Sequence, residues 1–196
     1  VKMTSGEYYV ASESYLWNLD TNFANLTLVT NSLNYNGFRG LLAFRASGDG
    51  QDQLFLTTQS KAGTGGGLYR AVAPTGTTVS LTSIVTNQQD ANSNAMTFTS
   101  MMYCPANNSL WIGTGPVTST EGDGYAEYSM TIAASQGAFS KTPNTNSDNY
   151  NSTVLPTSAV GCFYVDTSTT PNVYFMGMSA EGLWGWAPDT HNWVQQ

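Results

Sequence analysis

Short apolar runs punctuate this chain from one end to the other, "GEYYVA", "SYLWNL", "QLFLTT", "GLYRAV", "SLWIGT", "VGCFYVD", "NVYFMGM" and "GLWGWA" among them. Each is rich in β-branched and aromatic residues and is bounded by Gly, Asn, Asp or Pro, the composition of strands joined by tight turns. No long stretch spaces its apolar residues at a helical period. The best short candidate, Gln88 to Ala95, is polar and reads as a loop. The chain is therefore predicted to be all-β, and 196 residues suffice for one well-buried core.

The runs repeat. "QLFLTTQSKAGTGGGLYRAVAPTGTTV" from Gln53 and "NVYFMGMSAEGLWGWAPDTHNWV" from Asn172 share one order: strand, small-residue turn, Gly-Leu-aromatic strand, Ala-Pro, polar turn and strand. Leu68 corresponds to Leu183 and Pro74 to Pro188. "NSLWIGTG" from Asn108 copies the first half, and "SYLWNLDTNFANLTLV" copies the second. A further strand, "GLLAFRA", "FTSMMYC" or "VGCFYVD", precedes three of the copies.

In these "GGLYR"-type strand turns the chain resembles β-propeller repeat proteins. The resemblance implies an outer half-blade over 7–33 and three further blades over about 38–87, 96–141 and 159–196, roughly three and a half in all. Second strands beginning near Leu54, Leu110 and Val173 are spaced more widely than common propeller repeats, so the blade loops are enlarged. A two-sheet β-sandwich is the alternative, because aromatics repeat wherever strands do. Residues 1–196 are expected to form a single all-β domain, or part of a larger domain completed by another chain. An incomplete arc leaves faces and edges open, so a homo-oligomer or a companion chain of the same precursor is the expected partner.

Thirteen acidic against six basic residues give a formal charge of −7, with no Lys/Arg cluster. That disfavours tracking of nucleic-acid phosphates and binding to anionic lipid. Few charges beside many Thr, Asn and aromatic residues suit an extracellular or surface protein. The first residue, Val, is the expectation for a processed chain or a piece of a longer one. Asn25, Asn107 and Asn151 stand in N-glycosylation patterns that chance also supplies in so Asn-rich a chain. Cys104 and Cys162 lie outside any CxxC pair; in an oxidising compartment they are expected to bridge neighbouring repeats, and two buried free thiols packing as small hydrophobes are the alternative.

Trp17, Trp111 and Trp184 share a Leu-Trp context and are expected in the core between sheets. Trp186 and Trp193 lack aromatic equivalents in the second copy and become candidate ligand or interface residues; Arg70 is a further candidate, in or beside a strand like Arg39 and Arg45, where it could pair with an acidic loop or a ligand carboxylate. His191, the only histidine, stands in the turn "PDTHNW" with Asp189 alone nearby, and reads as an exposed turn residue. The acidic loops around Asp49 and Asp52 and around Glu121, Asp123 and Glu127 carry the oxygen ligands calcium takes, but neither matches a twelve-residue calcium loop. No cofactor is expected. "KAGTGGGLYR" lacks the Gly-Lys-Ser/Thr ending of a phosphate cradle and reads as a hairpin loop. These residues point to a secreted or surface binding module, with carbohydrate as the expected ligand. The alternatives are a structural subunit of a shell, fibre or appendage, and a segment of a glycan-active propeller hydrolase or lyase.

Overall fold

The computed structural model describes residues 1–12, 14–29, 37–45, 50–59, 66–87, 95–105, 109–116, 125–130, 139–141, 160–179, 182–187 and 192–196. Among them there is no helix, and all regular structure is antiparallel strand. Sheet 1 has three strands, β1 (Tyr8–Ser12), β2 (Tyr15–Leu19) and β3 (Leu26–Leu28). Sheet 2 joins β4 (Phe38–Phe44), β5 (Gln53–Thr58), β6 (Leu68–Val72) and β7 (Thr82–Val85). Sheet 3 joins β8 (Met96–Cys104), β9 (Ser109–Pro116), β10 (Tyr125–Met130) and β11 (Phe139–Lys141). Sheet 4 joins β12 (Val160–Asp166), β13 (Val173–Met178), β14 (Gly182–Ala187) and β15 (Asn192–Gln195). In each sheet the strands follow in chain order, so every connection is a hairpin and no strand crosses between sheets.

The sheets pack face to face in sequence order. Tyr9 and Leu16 of sheet 1 meet Leu54, Leu56 and Ala71 of sheet 2 in one cluster. The other face of sheet 2, through Phe55 and Leu68, meets Phe98, Leu110 and Ile112 of sheet 3. Trp111 and Cys104, on the far face of sheet 3, meet Tyr174, Met176, Trp184 and Trp186 of sheet 4. Each sheet thus has a leading face toward its predecessor and a trailing face toward its successor.

Burial follows that order. Every residue of β5 is buried, as is every residue of β9 from Ser109 to Thr114, because these strands have a sheet on each side. In β13 burial alternates with period two, as it does in β2 apart from its exposed first residue, the signature of a strand covered on one face.

Register shows that the repeat is structural. The first strands of sheets 2, 3 and 4 each break register near their start, at Phe38/Gly40, Phe98/Met101 and Val160/Cys162. Phe38, Phe98 and Val160, ahead of the break, are all buried. Leu68 pairs with Thr57, and Leu183 pairs with Gly177 at the same place in β13, as expected. Leu68 is fully buried while Leu183 is 46% exposed, because a sheet covers the trailing face of sheet 2 and none among the described residues covers that of sheet 4.

Three expectations change. Trp111 is not the counterpart of Trp17 and Trp184: it stands on a second strand, where Tyr9, Phe55 and Phe175 are its equivalents. Trp17 is half-buried on the outward face of sheet 1, which no described sheet covers, instead of lying in the core. Cys104 and Cys162 are not bridged to each other: Cys104 faces the core between sheets 3 and 4, whereas Cys162 lies against Gly177 on the opposite side of sheet 4. A bridge would have to pass through the sheet. Trp111 and Trp184 are buried as expected.

Leu68 and Leu183 provide a matched test. Leu68→Ala empties a closed site and is expected to cost ~2–5 kcal/mol in urea unfolding of the dilute protein. Leu183→Ala at the equivalent exposed site is expected to stay within ~1 kcal/mol of wild type. Equal losses would show that the two faces are covered alike.

Candidate functional site

Two polar clasps tie sheet 1 to sheet 2. The Thr4 amide donates to Asp52 Oδ2 at 2.8 Å, and the Thr4 hydroxyl donates to Asp52 Oδ1. Arg45 reaches Asp52 Oδ1 at 3.0 Å and donates to Thr4 Oγ1 at 2.7 Å. In the second clasp the Gly76 amide donates to Glu7 Oε1 at 3.0 Å, while Tyr9 Oη donates to the Gly76 carbonyl at 3.0 Å. Burial opposes ionisation of Asp52, yet the bonds from Thr4 and Arg45 hold its carboxyl below the usual carboxylate range. Burial, then the Glu7 charge, push the Tyr9 phenol up to about 12, with the Asn18 side chain pulling the other way.

A cleft of about 320 Å³ lies between β1 and the start of β4, lined by Val1, Tyr9–Ala11 and Phe38–Leu41. It opens where the edge of β1 turns toward the start of β4. Val1 and Tyr9 exchange both backbone hydrogen bonds, at 2.7 and 2.9 Å, and Met3 bonds Glu7 at 2.8 Å. Residues 1–3 thus run antiparallel along that edge, which in sheets 2, 3 and 4 belongs to the strand preceding the second one. By the alternation of an antiparallel ladder, the edge-facing groups beyond Tyr9 are the amide and carbonyl of Ala11, on the cleft wall. Phe38 and Leu41 give the opposite wall apolar character, and the exposed Arg39, bonded to Gln59, stands at the rim.

The residues expected to hold a ligand are not gathered into one site. Trp186 is 4% exposed and packs edge-on against Trp111 and Tyr174, with ring centroids 5.0 and 5.4 Å away. Its register equivalent is Ala71, also buried, so this position is core in both sheets. Trp193 lies directly opposite Trp186 in the β14–β15 ladder, and its side chain lies outside the described residues. Arg70 belongs to sheet 2, opposite Phe55 and Thr82, half-buried with its Nε covered.

His191, Asp49, Glu121, Asp123, Asn107 and Asn151 lie outside the described residues, and only the backbone of Glu127 is described. Asp20 accepts from the amides of Asn22 and Ala24 and from Asn25 Nδ2 at 2.7 Å, so the Asn25 side chain serves a turn. Those bonds, led by that of Ala24, lower the Asp20 pKa. Asp166 is likewise lowered by the Ser168 hydroxyl and amide. Among the described residues no three His, Cys, Asp or Glu side chains converge. The inner-edge cleft was missed by the sequence reading. Its one signal was the strand run "EYYVA" ahead of a copy that otherwise began at the third strand.

No protein-family model matches the chain, and no curated protein does. Among solved structures it is similar to the extracellular domain of a putative one-component system from B. thetaiotaomicron, with a TM-score of 0.57 and 16% identity. The match covers 97% of this chain and 21% of that one. The likeness is one of fold. This chain spans about a fifth of that structure's length.

The Asp52 clasp sets an acid limb. A carboxyl whose pKa is lowered by folding stabilises the fold above its ordinary pKa of about 4, and that contribution is lost as pH falls through the depressed value. Asp52→Asn is expected to melt below wild type at pH 7, with the gap closing as the pH is taken toward 3. A gap that stays constant across that range would remove Asp52 as its source.

Proposed function

We propose that this chain is a binding module of an extracellular protein, built as an arc of β-propeller-like sheets, that receives an extended polypeptide segment along its inner edge. The observation that carries the reading is the cleft beside β1, where the Ala11 backbone faces an apolar wall in line with an existing antiparallel pairing. An extended peptide bonds such an edge through its main chain and places alternate side chains in the flanking pocket.

The propeller-like reading is supported by the serial stacking of hairpin-connected sheets and by the proximity of β8 to both β4 and β12, as inner strands of successive blades require. The extracellular assignment draws on the solved structure of similar fold, itself an extracellular domain, and on the low share of charged residues. No helix among the described residues is long and apolar enough to cross a membrane.

Binding is favoured over catalysis because Asp52, Glu7, Asp20 and Asp166 are each engaged in a clasp or a turn. A peptide is favoured over the carbohydrate expected from sequence because Trp186 is inside the core and offers no stacking face.

Selection of displayed random peptides, run beside a glycan array, tests the reading. Peptides are expected to be enriched, and Ala11→Pro, which deletes one edge donor, is expected to weaken them roughly tenfold with little change in melting. Enrichment of glycans alone, or peptide binding indifferent to Ala11→Pro, would overturn it.

A further inference from the structure

The two end faces of the stack are apolar and carry the same positions that are buried inside it. On trailing faces the second strands present Tyr9, Phe55 and Trp111, each at most 1% exposed and each covered by the next sheet. Phe175 is the fourth member of that series and is only half-buried. On leading faces Leu56, Ile112 and Met176 are fully buried, whereas their equivalent in sheet 1, Val10, is 43% exposed. Tyr15 and Leu28 extend that uncovered face at 56% and 41% exposure.

The seats match as well. A Cβ added at Gly113, on the trailing face of sheet 3, would come within 2.9 Å of Val160 in the next sheet, and closer still to the Thr99 and Ser100 hydroxyls of its own sheet. Gly177 holds that position in sheet 4, where an added Cβ would meet Cys162 Sγ of its own sheet at 2.8 Å. Charge matches in the same way. At the interface of sheets 2 and 3, Phe44 stacks on Tyr103 at 4.2 Å. Carried by register to the end faces, Phe44 becomes Asp166, and Tyr103 becomes Lys2, whose ammonium lies over the Tyr8 ring.

We infer that the trailing face of sheet 4 takes the leading face of sheet 1 from a second copy of this chain, and that two copies close head to tail into a ring of eight sheets. The inference rests on the propeller-like reading of the arc. The contact continues the scheme of the three internal interfaces and sets Lys2 of one copy beside Asp166 of the other. A head-to-tail contact must close or run on as a filament. Four sheets from each copy reach the upper end of the range of about four to eight blades at which propellers close. A sugar is a poor occupant of the sheet 1 face, where Val10, Trp17, Leu26 and Leu28 lie together and the Trp17 indole N–H already bonds Ser12 Oγ at 3.4 Å.

Light scattering on the eluting protein tests the inference, using Val10→Asp and Leu183→Asp, both changes at exposed positions that leave the core intact. Wild type is expected at twice 21.0 kDa and each variant at 21.0 kDa with an unchanged circular dichroism spectrum. An equimolar mixture of the two variants is expected to regain a two-copy particle through its one intact interface. A wild-type particle of 21.0 kDa at the highest soluble concentration, or an open series of larger ones, would overturn the closed pair. So would loss of pairing in only one variant, which marks a like-face contact. Because Leu183→Asp lies on sheet 4, away from the inner-edge cleft, peptide capture by that variant is read separately, and either proposal can fail without the other.

Discussion

A sheet with two apolar faces must be covered on both, and the molecule is organised around that requirement. β5 and β9 have no face that tolerates water: Gln53, Thr57, Ser109 and Thr114 are buried along with the apolar residues between them. Packing each of these strands between two sheets removes fully buried Leu, Ile, Phe and Trp side chains from water, at about 1.5–3 kcal/mol for an aliphatic side chain or Phe. Once the second strands of sheets 2 and 3 are fixed in this way, sheets 1 and 4 are the cover, and no described sheet lies on their own far faces.

Those far faces bear on where function can lie. The interior interfaces are filled by rings in contact, such as Trp111 against Trp186 and Phe44 against Tyr103, so these rings offer no platform for a ligand. Among the described residues, the inner edge beside β1 and the two end faces are accessible. The clasps at Asp52 and Gly76 bear on both, since they fasten the sheet that supplies that edge and one of those faces.

Much of this was legible in the sequence, because strand composition and turn residues are local properties. The second strands expected near Leu54, Leu110 and Val173 are β5, β9 and β13, and the blades expected over 38–87, 96–141 and 159–196 contain sheets 2, 3 and 4. The half-blade over 7–33 proved to hold three strands. The sequence reading failed where a face had to be assigned. Leu-Trp occurs at Leu16, Leu110 and Leu183, and grouping the three tryptophans by that dipeptide conflicts with the second strand expected at Leu110, since a different strand means a different neighbour. In β9, buried on both faces, no alternation exists from which to read the side. Trp186 misled for a related reason: its counterpart Ala71 is small, yet both are core, because the volume at each interface is shared with whatever the facing sheet supplies.

Serial stacking makes the sheets unequal in stability, and amide hydrogen exchange on the dilute Leu183→Asp variant measures that inequality directly. The account predicts that β5 and β9 exchange slowest, through global unfolding alone. The amides of β2 and β13, in sheets covered on one side, are predicted to exchange faster through local detachment. Protection of β2 and β13 equal to that of β5 and β9 would contradict the stacked arc.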